Sequence, residues 1–210
     1  VPGMRAYSKT LKRARKAGLL VIADVKRGDI GSTAQAYAEA HLGRKAFFAD
    51  AVTLNPMLGS DAMAPFLEAA KKGSGLFVLL RTSNPGAADF QGDLSDPACL
   101  TWKIAEKLRA WGQEAMGRSG WSSVGAVVGA TKGEEIRLLR ESLPETPFLL
   151  PGVGAQGGNL ADAALAFRGG LGGLVSASRS VIFASRDENW QEAAGAAARA
   201  LAGELRKALA

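Results

Sequence analysis

The stretch "LLVIADVKRGDIGSTAQAYAEAHLG" (residues 19–43) decides the fold. It opens on an apolar run that reads as a strand, "LLVIADV" (19–25). A knot of charge follows at Asp24, Lys26 and Asp29. It closes on a helical pattern, "TAQAYAEAHLG" (33–43), so strand, charged turn and helix succeed one another within 25 residues.

The same plan recurs. "DAVTLN" (50–55), "GLFVLLRT" (75–82), "VGAVVGA" (124–130), "PFLLPGV" (147–153) and "GGLVSAS" (172–178) are short apolar runs bounded by turn residues. Continuous rather than alternating runs suit strands buried on both faces of a parallel sheet. Helical patterns lie between and after them. They are "SDAMAPFLEAAKKG", with Ser60 as N-cap and Gly73 as stop, then "CLTWKIAEKLRAWGQEAMG", "KGEEIRLLRESLP" and "NLADAALAFRGG", and last the Ala-rich "ENWQEAAGAAARALAGELRKALA". Strict alternation of strand and helix gives an α/β fold of βαβ units.

Even spacing, and no G-x-G-x-x-G after the first strand, favour a (β/α)8 TIM barrel over a doubly wound sheet. Such a barrel has eight strands. Six are visible, and "MRAYSKTLKRARKAG" (4–18) before the first of them reads as a helix. The visible strands are therefore read as strands 3–8 of one barrel domain, residues 1–210, lacking its first two strands. A first residue Val1 rather than Met agrees with that reading.

Composition narrows the function. With 210 residues and 47% hydrophobic content, one sizeable core is expected. No run of 18 uncharged apolar residues suggests a membrane span, and no signal peptide is evident, so a cytoplasmic protein is expected. Cys99 is the one cysteine; it lies in a polar segment and reads as incidental. His41 is the one histidine, which argues against a zinc site or a Ser-His-Asp triad. The net charge of +6 is scattered. Its densest run, "KTLKRARK" (9–16), reads as an exposed helix face, and the balance suits small anionic molecules better than nucleic acid.

Barrel enzymes gather chemistry at the carboxyl ends of their strands. The first visible strand ends on Asp24, Lys26 and Asp29, and the third on Thr82, Ser83, Asn84 and Pro85. The fifth leads into "PGVGAQGGN" (151–159) and the sixth into "SASRS" (176–180). A glycine-rich loop with Gln156, followed by Arg179, suits a phosphate, since backbone N–H groups and a guanidinium fork both match its oxygens. The glycines could also serve tight turns alone. Asp24 and Lys26 fall on one side of an extended strand. For an arbitrary Asp-x-Lys a structural ion pair is the simpler reading, and the strand-end position points instead to chemistry.

At these residues the chain resembles a known family. "DVKRGDIGST" (24–33) is similar to the Asp-x-Lys-x-x-Asp-Ile-x-x-Thr signature of orotidine 5′-phosphate decarboxylases. "RTSNPGAADFQ" (81–91), "VGAVVGAT" (124–131), "PGVGAQGG" (151–158) and "SASRSVIFA" (176–184) follow in the family's order and spacing. "DAVTLNPMLGSDAMAPFL" (50–67) and "TSNPG" resemble its longer bacterial branch.

The resemblance implies a homodimeric barrel that converts orotidine 5′-phosphate to UMP and carbon dioxide in pyrimidine biosynthesis, with no metal and no organic cofactor. By position, Lys26 would protonate C6 of the pyrimidine, and Asp24 would hold Lys26 beside the substrate carboxylate. Asp29, Ile30 and Thr33 would reach the partner subunit's site. Ser83 would bond the pyrimidine ring, Pro151 would line the pocket, and Gln156 and Arg179 would hold the phosphate. The family pattern also has a further Lys and a ribose-contacting Asp on strands that would precede Val1. Lys9, Lys12, Arg13 and Lys16 lie on the predicted helix and do not supply that lysine. The rival readings are a magnesium-dependent sugar-phosphate lyase of the same superfamily, a non-catalytic phosphate-binding barrel fragment, and a nucleic-acid binder.

Overall fold

Each apolar run is a strand in the computed structural model, which describes residues 1–45, 47–153 and 158–210. The strands are β1 (Ile22–Arg27), β2 (Ala51–Leu54), β3 (Gly75–Arg81), β4 (Val124–Val128), β5 (Phe148–Pro151) and β6 (Gly173–Ser176). The helices are α1 (Pro2–Lys16), α2 (Gly31–Leu42), α3 (Ser60–Lys71), α4 (Ala88–Gln91), α5 (Leu100–Gln113), α6 (Gly133–Ser142), α7 (Leu160–Ala164), α8 (Arg179–Ile182) and α9 (Trp190–Ala208). The strands form one sheet in chain order, β1 to β6. Pairing is parallel between β1 and β2, β2 and β3, and β5 and β6. This is an α/β fold of six parallel strands with helices between them.

The residues divide into two compact units. The first is Val1–Leu79 with Glu106–Ala126, and the second is Leu80–Ala105 with Val127–Ala210. In the first, α2 buries Ala34, Ala38, His41 and Leu42, and α3 buries Ala62, Met63, Phe66 and Ala70. Spacings of three and four give each helix one apolar stripe, and the two helices pack together. β2 is buried along its whole length.

Three local expectations are corrected. Leu19 and Leu20, read as part of a buried strand, are 62% and 89% exposed, and β1 begins at Ile22. Of β1 only Ala23 is buried, and β6 has no buried residue. Both are the end strands of the sheet order, so a flanking strand covers each on one side only. Ser60 is the first residue of α3 rather than its cap; Gly59, at φ +90°, takes the cap position. Gly73 at φ +97° stops the helix as expected, since only glycine adopts that geometry without strain.

In the second unit a cation sits where the sequence suggests surface. Arg140 of α6 is 5% exposed. Its Nε donates to the Ala166 carbonyl at 2.8 Å, Nη1 to those of Leu143 and Thr146 at 2.8 Å each, and Nη2 to Gly172 at 3.1 Å. The guanidinium carbon lies 3.8 Å from the centre of the Phe148 ring. One planar fork thus ties together the end of α6, the turn before β5, the segment after α7 and the turn before β6. Burial, with Arg168 nearby, pushes its pKa down to about 10, which leaves it charged at neutral pH.

Candidate active site

The first cluster forms at the end of β1. Ala23 pairs with Val52 and Arg27 with Leu54, so three residues of β1 stand where β2 has only Thr53. The surplus makes a bulge, a device that bends a strand and re-aims its side chains. Lys26 absorbs it with φ +44°, a left-handed geometry unfavourable for a residue with a Cβ. Its N–H leaves the ladder and donates to Thr53 Oγ1 at 2.9 Å.

The side chains close on the same point. Lys26 Nζ donates to Asp24 Oδ1 at 2.6 Å, and Thr53 Oγ1 donates to that same oxygen at 2.9 Å. The Asp24 and Lys26 side chains are 62% and 50% exposed, while Thr53 is fully buried. The arrangement presents an ammonium in contact with a carboxylate on an open surface, fixed from below by a hydroxyl. Such a pair can deliver a proton and can offer positive charge to a developing carbanion.

Asp29, Ile30 and Thr33 follow at the turn into α2. Asp29 Oδ1 accepts the Ile30 N–H at 2.9 Å, and α2 starts at Gly31. Ile30 is 58% exposed and Thr33 is exposed as well. Among the described residues neither Asp29 nor Thr33 makes a hydrogen bond or ion pair with Asp24 or Lys26.

In the second unit the loop after β3 is held firmly. Arg81, 7% exposed, donates from Nε and Nη2 to the two carboxylate oxygens of Glu135 at 2.8 and 2.7 Å, and from Nη1 to the Gly92 carbonyl at 2.7 Å. Lys132 adds a bond to Glu135 at 3.0 Å. Burial would raise the Glu135 pKa, but the bonds from Arg81 and Lys132 outweigh it and hold the carboxyl below its ordinary range. The Thr82 N–H donates to Gln91 Oε1 at 2.9 Å, and Gln91 Nε2 returns a bond to Thr82 Oγ1 at 2.7 Å. Ser83 is therefore carried on a braced loop. Gly129, after β4, lies against it: a Cβ there would come within 2.9 Å of Ser83 Cβ and 3.0 Å of its backbone nitrogen.

The remaining expected residues stand at the ends of β5 and β6. Pro151 closes β5, and its carbonyl accepts the Ala130 N–H at 3.0 Å. Gln156 lies outside the described residues. Arg179 opens the short helix α8, is exposed, and has no ion pair among the described residues. The two loops meet: Gly158, Asn159, Ser180 and Val181 line one cavity of about 580 Å³. Among the described residues no group of three or more His, Cys, Asp or Glu is placed to hold a metal ion. No helix among them is long and apolar enough to cross a membrane.

Sequence comparison gives this geometry its context. The model of the "Orotidine 5′-phosphate decarboxylase / HUMPS family" matches residues 3–193. The chain belongs to this family. A relative from Clostridium perfringens named orotidine 5′-phosphate decarboxylase is 40% identical over 213 residues, covering 99% of this chain and 74% of the relative. Another, from Clostridium botulinum, is 46% identical over 186 residues, covering 88% of this chain and 65% of the relative. The solved structure of Leishmania donovani OMP decarboxylase superposes with a TM-score of 0.79 at 32% identity, covering 99% of this chain and 75% of that one. The chain thus spans about three quarters of the length of the Clostridium perfringens relative. Thr53 and Arg81 lie within quoted motifs and Glu135 within a helical pattern, and the sequence reading gives none of the three a role, yet they shape the strand ends.

Proposed function

We infer that the chain is an orotidine 5′-phosphate decarboxylase, a carboxy-lyase that yields UMP and carbon dioxide. The observation that carries the mechanism is the 2.6 Å contact of Lys26 with Asp24 on the bulged end of β1, in a chain of this family. The bond from C6 to the carboxylate carbon breaks and its electron pair stays on C6. The Lys26 ammonium stabilises that pair and then donates a proton to C6. The resulting amine is reprotonated from solvent. Asp24 fixes the ammonium and lies beside the departing carboxylate. No metal or organic cofactor enters these steps.

The other roles complete the reading. Ser83 bonds the pyrimidine, Pro151 lines the pocket, and Gln156 and Arg179 hold the phosphate. Asp29, Ile30 and Thr33 serve the site of a partner subunit in a homodimer, a reading that the exposure of Ile30 and Thr33 supports. The strands are read as the third to eighth of a single eight-stranded barrel domain in a cytoplasmic enzyme. The greater length of the relatives and the half-covered end strands support the barrel reading.

The test is decarboxylation of orotidine 5′-phosphate followed by ultraviolet absorbance with a chelator present. Turnover is the expected result. A requirement for magnesium would restore the sugar-phosphate lyase, and UMP binding without turnover would favour a binding barrel. Arg179→Ala should lower kcat/KM by roughly 10- to 100-fold, the loss of one charged hydrogen bond, with most of the change in KM. An unchanged KM would remove Arg179 from the phosphate site.

A further inference from the structure

We propose that Thr53 is a positioning residue for the reaction, holding the Asp24 carboxylate and the Lys26 backbone in register through one hydroxyl. This rests on the assignment of Lys26 as proton donor. Thr53 is fully buried in the otherwise apolar strand β2. A buried hydroxyl without partners is costly, and this one is used in both directions. It accepts the Lys26 N–H at 2.9 Å and donates to Asp24 Oδ1 at 2.9 Å.

Each bond answers a specific need. The bulge removes the Lys26 N–H from the ladder, and the left-handed φ of +44° persists only where surroundings over-determine it. The Thr53 hydroxyl supplies the missing acceptor. Asp24 is 62% exposed, so without a buried anchor its carboxylate would rotate freely with Lys26 attached. Thr53 instead ties the oxygen that receives Nζ to a rigid, fully buried strand. The ammonium is thereby fixed twice, through its own backbone and through its counter-ion.

The test compares Thr53→Val, which keeps the shape and removes the hydroxyl, with Thr53→Ser, which keeps the hydroxyl. Misplacing a reacting group by about 1 Å costs about 100-fold, so Thr53→Val should lower kcat about 100-fold. KM should change by less than about threefold, because no bond to substrate is lost. Thr53→Ser should recover most of kcat. Independently of activity, amide hydrogen exchange at Lys26 should quicken at least about tenfold in Thr53→Val, while the Leu54 amide stays protected. Wild-type kcat in Thr53→Val, equal losses in the Val and Ser variants, or unchanged Lys26 exchange would each overturn the proposal. Lys26→Ala run beside them separates the two claims. If it stays active, the proton-donor role fails and this proposal with it; if it is dead while Thr53→Val is not, only the role of Thr53 fails.

Discussion

Lys26→Ala should abolish turnover, by at least roughly 10⁴-fold, while leaving UMP binding within about tenfold of wild type. The magnitude combines two losses, a positioned general acid and a preorganised charge at the carbanion. Both act mainly in the transition state, so kcat carries the effect and nucleotide affinity does not. The substitution also leaves Asp24 without its 2.6 Å partner. Folding should hardly change, because the pair is half exposed and such ion pairs contribute about 0–1 kcal/mol. Single-turnover decarboxylation, UMP titration and thermal unfolding read the three quantities separately. Turnover within tenfold of wild type would sink the mechanism, whatever the unfolding temperature does.

The second large effect concerns stability. Arg140→Ala should destabilise the protein by about 3–5 kcal/mol, read as a lower urea midpoint. The variant leaves the carbonyls of Ala166, Leu143, Thr146 and Gly172 without the donor they share. The Leu143 and Gly172 carbonyls keep backbone donors, the Thr146 N–H at 3.3 Å and the Phe148 N–H at 2.8 Å, so the orphans are those of Ala166 and Thr146, at about 1–3 kcal/mol each. The contact with the Phe148 ring is lost too. Arg140→Lys should recover little, because one ammonium cannot span four carbonyls that a planar fork reaches from three nitrogens. Since the bonds lie within the second unit, hydrogen exchange should rise first in β5 and β6. A loss below about 1 kcal/mol would show that the fork is dispensable.

Arg140 also marks the limit of what the sequence discloses. The six strands were legible because buried parallel strands leave continuous apolar runs, and the alternation with helices left little choice of fold class. The Asp24–Lys26 pairing was legible from strand periodicity. The bulge was not: a two-residue shift in register against β2 leaves no mark in a period of two, so neither the φ of Lys26 nor the role of Thr53 could be read. Threonine is an ordinary strand former, and "DAVTLN" looks like any buried strand. Arg81 and Glu135 stand 54 residues apart, a separation that no local pattern bridges. The signal available was a cation closing the apolar run "GLFVLLR", which calls for a partner without naming it. Leu19 and Leu20 erred the other way, since hydrophobicity suggests burial but cannot assign the end of a sheet.

The left-handed backbone at Lys26 sets foldability and chemistry against each other at a single position. Judged by backbone energetics alone, glycine is the best residue there, and a sequence optimised only for stability would discard the lysine among its first changes. Thermostabilisation of this enzyme by design should therefore hold position 26 fixed and work elsewhere. The residue least suited to its own conformation is the one the proposed reaction needs.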